Sequence, residues 1–359
     1  MRIAISTGGG DAPGLNAVIR AATLAAIHRG WEVLGVRRGY YGLLGEDEVV
    51  TLNADTVRGI AHLGGTILRT TNRGNPFRWP VPQPDGSVLE IDRSDELIES
   101  ARQMGIEAVV TIGGDGSMHL ARKLHDKGMR IVGVPKTIDN DVPGTASTFG
   151  HDTAVSTALD AIDKLHTTAE SHDRVIVTEV MGRHAGFIAL HAGLAGTADV
   201  ILIPEIPYDI ERVCDKIRER DRAGRHFSIV VAAEGAFPRG GSPHFVETAA
   251  AGVAARLGGV GEAVAHAIEA RTGKETRSLV LGHLQRGGQP TGYDRLLATR
   301  FGGAAVAAVA AGKWGHMVAL RPPHIVAVPI AEALAAPRRV ELDHDVVQTA
   351  RATGICFGD

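Results

Sequence analysis

Two short segments of this chain hold residue types that handle phosphate: Gly113-Gly114-Asp115-Gly116-Ser117 and Pro135-Lys136-Thr137-Ile138-Asp139-Asn140-Asp141. Each follows directly on an apolar, strand-like run. Glycine lets the backbone approach phosphate oxygens, and a helix beginning behind such a loop favours negative charge. Nearby carboxylates hold a divalent cation or accept a proton. A third loop, Gly8-Gly9-Gly10-Asp11-Ala12-Pro13-Gly14-Leu15-Asn16, follows the N-terminal apolar run. Glycine triplets alone fit a tight strand-to-helix turn, but three glycine or carboxylate turns at strand ends are expected to converge on one crevice. The combination points to phosphoryl transfer and not merely phosphate binding.

The elements that must position these loops are short β-branched runs alternating with longer helical patterns. Arg2 to Ser6, Glu32 to Val36, Ala108 to Ile112, Arg130 to Val134, Val175 to Val180, Val200 to Ile203 and Ser228 to Ala232 read as buried strands. Helices are expected over Leu15 to His28, Asp95 to Met104, Met118 to Lys127, Thr153 to Thr167 and Ile210 to Arg222. This rhythm predicts parallel sheets covered by helices on both faces, with ligands beyond the carboxyl ends of the strands. Asn72 to Gly86, with four prolines and two glycines, shows neither periodicity and reads as a surface excursion near the cleft. Ala304 to Ala311 reads as a packed helix.

With 359 residues the chain has room for two lobes, each able to bury its own core. Lysine and arginine total 38 against 41 acidic residues, so no global positive field draws it to nucleic acid or an anionic membrane. The two cysteines, Cys214 and Cys356, have no metal-ligand spacing and fit a reducing compartment. No apolar stretch reaches the ~18–20 residues of a membrane span. The start lacks a signal-peptide core, so a soluble cytoplasmic protein is expected.

The three loops, continued by Met181-Gly182-Arg183-His184-Ala185-Gly186, Pro204-Glu205-Ile206-Pro207, Glu234-Gly235 and Gly282-His283-Leu284-Gln285-Arg286-Gly287-Gly288, resemble the phosphofructokinase family in its own motif order over nearly the whole chain. The resemblance implies an α/β fold of two lobes, each a largely parallel sheet with helices on both faces, and an active site in the cleft between them. Residues 1–150 plus about 285–335 would form the large, donor-binding lobe. Residues 151–284 plus about 336–359 would form the small, sugar-phosphate lobe. The implied reaction is glycolytic: Mg2+-dependent transfer of the terminal phosphoryl of ATP to the 1-hydroxyl of fructose 6-phosphate.

By the same resemblance Asp139 is the base that takes the hydroxyl proton, Thr137 orients the acceptor or a transferring oxygen, and Arg183 neutralises charge on the transferring group. Asp115 is the magnesium-associated carboxylate, with Asp141 as a helper. Gly9, Gly10, Gly114, Gly116 and Ser117 belong to the donor loops; Tyr40 or Tyr41 resembles a ring near adenine, and Arg73 approaches the nucleotide phosphates. Met181, Gly182, Arg183 and Glu234 line the sugar, while His283 and Arg286 hold its 6-phosphate. Arg174 and Arg277 resemble positions that reach across from a neighbouring subunit, which implies a homodimer or homotetramer with shared active sites.

Two positions inform the donor. Gly116 stands where pyrophosphate-dependent members carry aspartate, which favours ATP; Lys136 stands where pyrophosphate enzymes carry lysine. Gly116 is weighted more heavily, because opening the pocket is a steric requirement for ATP whereas an added cation need not exclude it. Pyrophosphate is the alternative donor. A sugar-phosphate or nucleotide sensor is the non-enzymatic alternative, and NAD or lipid kinases share only the Gly-Gly-Asp-Gly loop. Leu24, Ala54 and Ala223-Gly224-Arg225-His226 replace basic residues expected of an effector site, so weak allosteric control is expected.

Overall fold

The computed structural model describes residues 1–45, 47–247 and 256–359. Its strands are β1 (Arg2–Thr7), β2 (Glu32–Val36), β3 (Val49–Leu52), β4 (Trp79–Pro82), β5 (Val88–Ile91), β6 (Ala108–Gly113), β7 (Ile131–Pro135), β8 (Val175–Val180), β9 (Val200–Leu202), β10 (Ser228–Ala233), β11 (Phe245–Glu247), β12 (Arg256–Leu257), β13 (Thr276–Val280), β14 (His316–Arg321) and β15 (His324–Pro329). The helices are α1 (Leu15–Ile27), α2 (Ser94–Gln103), α3 (Asp115–Asp126), α4 (His151–Ser171), α5 (Phe187–Ala195), α6 (Ile210–Arg222), α7 (Val260–Thr272), α8 (Gly292–Ala310), α9 (Ile330–Ala333) and α10 (Asp345–Ala352).

Two sheets divide the molecule into lobes. The larger has seven strands in the order β15-β14-β7-β6-β1-β2-β3, parallel from β14 to β2 with antiparallel strands at both edges. The smaller, β13-β8-β10-β9, is parallel throughout. Strands β1, β6, β7, β8 and β10 are buried along nearly their whole length, because helices cover both faces and leave no polar side to alternate with. The apolar sets Ile3, Ile5, Leu15, Phe149 and Phe301 in the large lobe, and Ile162, Ile188, Ile201 and Ile229 in the small one, form separate cores.

For the elements that were expected, most boundaries hold to within one residue; the differences are these. Helix α3 begins at Asp115 and not Met118, so the glycine motif straddles a strand end and the first helical turn. Helix α4 extends to His151–Ser171. The proline-containing excursion Asn72 to Gly86 includes β4, which pairs with β5 as a hairpin; Pro80 and Pro82 sit on this two-stranded ribbon, where no inner ladder demands their missing N–H. Strands β3, β13, β14 and β15 and helices α5, α7 and α10 are not among the expected elements: β13 is an exposed edge and β14 pairs β7 over only two residues. Both cysteines are free thiols. No helix among the described residues is long and apolar enough to cross a membrane.

Candidate active site

The crevice opens at the carboxyl ends of β1, β6 and β7, which lie side by side. The loop after β1 is tied to the segment 69–71: Gly9 N donates to Thr71 O at 3.0 Å, and Thr70 Oγ1 donates to Gly9 O at 2.6 Å. Ser117, in the first turn of α3, fits against two glycines. A Cβ on Gly113 would lie 2.1 Å from Ser117 Oγ and one on Gly8 2.8 Å from it, so the two loops close on each other only because both lack side chains. At Gly116 an added Cβ would meet nothing within 4 Å. The space next to it is open.

The loop after β7 carries the candidate reactive groups and is held from behind. Asn140 adopts a left-handed backbone (φ 57°), and its Oδ1 accepts from Thr148 N at 3.1 Å. Thr148 Oγ1 donates to Thr137 O at 2.8 Å, and His151 Nδ1 bonds Ile138 O at 2.8 Å. Asp139 N in turn donates to Thr137 Oγ1 at 3.1 Å. Asp139 is 3 % exposed and its Oδ1 has no hydrogen-bond partner. A buried carboxylate oxygen left unpaired is costly unless something else satisfies it.

Charged groups crowd this carboxylate. Burial, followed by the neighbouring Asp139 and Asp115 charges, pushes the Asp141 carboxyl up, with Arg183 opposing. Burial also pushes Glu234 up to about 7, helped by Asp139. Lys136 is driven down to about 8, chiefly by burial and then by Arg286, while Asp11 and Asp139 pull the other way. Its Nζ donates to Gly10 O, and Arg286 Nη1 donates to Asp11 O at 2.9 Å. Asp115, Asp139, Asp141, Arg183 and Glu234 therefore share one electrostatic neighbourhood, with Lys136, Arg286 and Asp11 on the glycine side.

Arg183 sits on the turn after β8, with Gly182 at φ 144° and its own φ at 53°, an unfavourable conformation for a long side chain. Its N–H donates to Glu234 Oε1 at 3.0 Å, and a Cβ on Gly235 would lie 1.9 Å from its carbonyl oxygen. Glu234 and Gly235 thus work together: one accepts from this turn while the other gives it room.

The remaining expected residues are placed as follows. Tyr40 is 6 % exposed, its ring in the core and its hydroxyl 3.2 Å from Thr111 Oγ1. Tyr41, packed on Trp79 at 4.6 Å between ring centroids, keeps the accessible face. Arg73 is exposed, two residues beyond the Gly9 contact. His283 and Arg286 lie in a 3₁₀ turn, Gly282–Arg286, after β13, whereas Arg174 and Arg277 belong to the opposite end of their strands. They lie at the amino ends of β8 and β13, roughly 20 Å of strand away from Arg183, and both pair with Glu275. Asp11, Thr70 and Glu205 were not singled out as site residues; they act through contacts with loops distant in sequence, which leave no local signal.

Residues 2–309 match the family described as Phosphofructokinase. The chain belongs to the phosphofructokinase family. It is 54 % identical over 358 residues to an ATP-dependent 6-phosphofructokinase of Chloroflexus aurantiacus, covering 100 % of this chain and 98 % of the relative. An ATP-dependent 6-phosphofructokinase 1 of Synechocystis is 48 % identical over 366 residues, covering 100 % and 98 %. Among solved structures, Pichia pastoris phosphofructokinase in the T-state superposes with TM-score 0.80 at 31 % identity, over 99 % of this chain and 37 % of that one. A pyrophosphate-dependent phosphofructokinase from Marinobacter aquaeolei shares the fold at TM-score 0.80 and 23 % identity, over 99 % and 91 %. The family's fold accounts for the two lobes and for the position of the crevice between them.

Proposed function

We propose that this chain is a 6-phosphofructokinase that moves the terminal phosphoryl group of ATP to the 1-hydroxyl of fructose 6-phosphate. The observation that carries this reading is the unpartnered Oδ1 of buried Asp139, between the cation Lys136 and the Arg183 turn. A sugar hydroxyl is a weak nucleophile, and a carboxylate within hydrogen-bond reach accepts its proton as the bond to phosphorus forms. Arg183 and Lys136 then face charge that builds on the transferring oxygens, where fixed cations are most effective. The loops after β1 and β6 cradle the donor phosphates, and Glu234, which already accepts from the Arg183 turn, accepts in addition from a sugar hydroxyl.

The residues present fit a magnesium ion. Asp139 and Asp115 both disfavour the charge on Asp141, a repulsion that a divalent cation would relieve. No group of three or more metal-ligating side chains occurs among the described residues, so Asp115 and Asp141 would hold the ion together with donor phosphates and water. When bound, it supplies charge neutralisation to the phosphates.

ATP as donor is supported by the open space at Gly116 and by the printed names of the relatives at 54 % and 48 % identity. We take residues 1–150 plus about 285–335 as the donor-binding lobe and the remainder as the sugar-phosphate lobe. Arg174 and Arg277, remote from their own crevice, would bind the 6-phosphate in a partner's site within a homodimer or homotetramer. The initial velocity with fructose 6-phosphate and magnesium, supplied in parallel with ATP or pyrophosphate, tests the reading. ATP is the expected donor, and Asp139→Ala is expected to lower kcat by about 10²–10⁴-fold with little change in sugar-phosphate binding. Pyrophosphate preference would overturn the donor assignment, and near-normal kcat in the variant would remove Asp139 as the base.

A further inference from the structure

The base and the charge-stabilising arginine stand on different lobes: Asp139 follows β7 of the large sheet, and Arg183 follows β8 of the small one. Phosphoryl transfer needs both loops in register, because misplacement of a reacting group by about 1 Å can cost about 10²-fold in rate. One stretch of chain touches both loops. After α9 the backbone crosses from lobe to lobe at Arg338, Arg339 and Val340. On the large-lobe side, Arg338 N donates to Asp141 O at 2.8 Å and Arg338 Nη1 donates to Ala146 O at 2.7 Å. On the small-lobe side, the Arg338 guanidinium lies 4.8 Å from the centre of the Phe187 ring, the first residue of α5. Two residues on, Val340 N donates to Glu205 Oε1 at 2.9 Å. Both oxygens of that same carboxylate accept from Gly186 N, at 3.0 and 3.1 Å. Gly186 caps α5 and is three residues beyond Arg183.

We infer that Arg338 and Glu205 are positioning residues for the transfer step: residues 338–340 form a strap that fixes the Asp139 loop against the Arg183 turn. Arg338 grips the end of the base loop through its main chain and the loop's return segment through its side chain. Glu205, in the Pro204-Glu205-Ile206-Pro207 motif, converts the strap's position into the position of Gly186 and the turn before it. Neither residue touches the reacting atoms. Each bond made by Glu205 is to a backbone N–H, so the carboxylate orients main chain and not another side chain. A charged acceptor gives these bonds more strength than an amide would.

A cavity of about 450 Å³ lies beside the strap, bounded by Asn140, Ala146, His151, Phe187 and Arg338 among others. It gives a way to test Arg338 by itself. Truncation to alanine leaves room for a small guanidinium to return from the cavity to the Ala146 carbonyl and the Phe187 face.

The kinetic half of this inference rests on the proposed reaction, so two measurements are paired. Wild type, Arg338→Ala and Glu205→Gln are compared for kcat and for KM of fructose 6-phosphate, with and without methylguanidinium. Amide hydrogen exchange is followed in the same proteins over residues 137–148 and 182–187. We expect kcat to fall about 10–100-fold in both variants while KM changes less than about threefold. Methylguanidinium should recover part of kcat in Arg338→Ala alone, and exchange should quicken in those two stretches with the β1, β6, β8 and β10 strands unchanged. Unaltered kcat in an active series, or exchange in 182–187 that stays at the wild-type rate in Arg338→Ala, overturns the strap. Quickened exchange spread evenly through the core strands also overturns it, since that marks general loss of stability. A wild type inactive with either donor would sink the reaction assignment, while the exchange data would still decide whether the strap holds the turn.

Discussion

At the scale of single residues, the crevice trades stability for charge placement. Lys136 is buried with its amine held at about 8 against an ordinary 10.5, so at neutral pH the folded protein carries a desolvated cation. For a lysine depressed in the folded state, the cost is complete below about pH 8 and fades as pH rises toward 10.5, where the unfolded chain also loses its proton. Lys136→Met should therefore stabilise the ligand-free protein by about 1–3 kcal/mol at pH 7 while lowering kcat. Thermal melts at pH 7 and pH 9.5 check the sign: the gain should shrink at the higher pH, and a lower Tm at pH 7 would refute this account. Glu234 is perturbed for the related reason that burial disfavours its charge, reinforced by Asp139. The presence of these residues was legible in the sequence because their motifs are contiguous. Their perturbation was not, because it depends on neighbours such as Asp11 and Arg286 that are 275 positions apart.

At the scale of elements, β8 holds two candidate site arginines apart by its own length. Its carboxyl end presents Arg183 to its own crevice, and its amino end presents Arg174 away from it. The α1–α8 pair holds the first glycine loop, since α1 begins directly behind it. These helices approach closely at Gly302, where an added Cβ would lie 2.6 Å from Val18 O and 2.8 Å from Ala21 Cβ. Gly302→Ala should destabilise the protein by about 1–2 kcal/mol, overpacking outweighing the better helix propensity of alanine. The midpoint of urea unfolding measures this, and an unchanged or higher midpoint would show that the helix pair yields without cost. The strands of the central sheets could be read because a doubly covered parallel strand is a continuous apolar run. Edge strands β13 and β15 and the hairpin β4–β5 could not, since half or more of each faces away from a core and their composition resembles loops.

At the scale of the whole molecule, β13 is an edge of the small sheet with Leu279 40 % and Val280 56 % exposed, and Leu284 just beyond it is 68 % exposed. An apolar, unpaired edge of this kind is a ready surface for a second copy. The proposed sharing of Arg174 and Arg277 gives that contact a purpose. Val280→Asp should lower the mass seen by light scattering, leave the unfolding midpoint of the separated subunit within about 0.5 kcal/mol, and raise KM for fructose 6-phosphate. An oligomer of unchanged mass would place the interface elsewhere.

The sequence by itself determined the family and the alternation of strands and helices, and it singled out Asp115, Lys136, Asp139 and Arg183 as candidates. Chemistry of this kind rests on short contiguous loops at strand ends, where residue type and spacing are visible without any fold. Only the tertiary structure decided which oxygen of Asp139 is left unpartnered, that Tyr40 is consumed by the core, and that Arg174 and Arg277 share Glu275 as an ion-pair partner. It also joined Asp141 to Glu205 through Arg338 and Val340. Those relations are set by packing between segments up to about 200 residues apart, and no local pattern encodes a contact that exists only once two lobes have closed on each other.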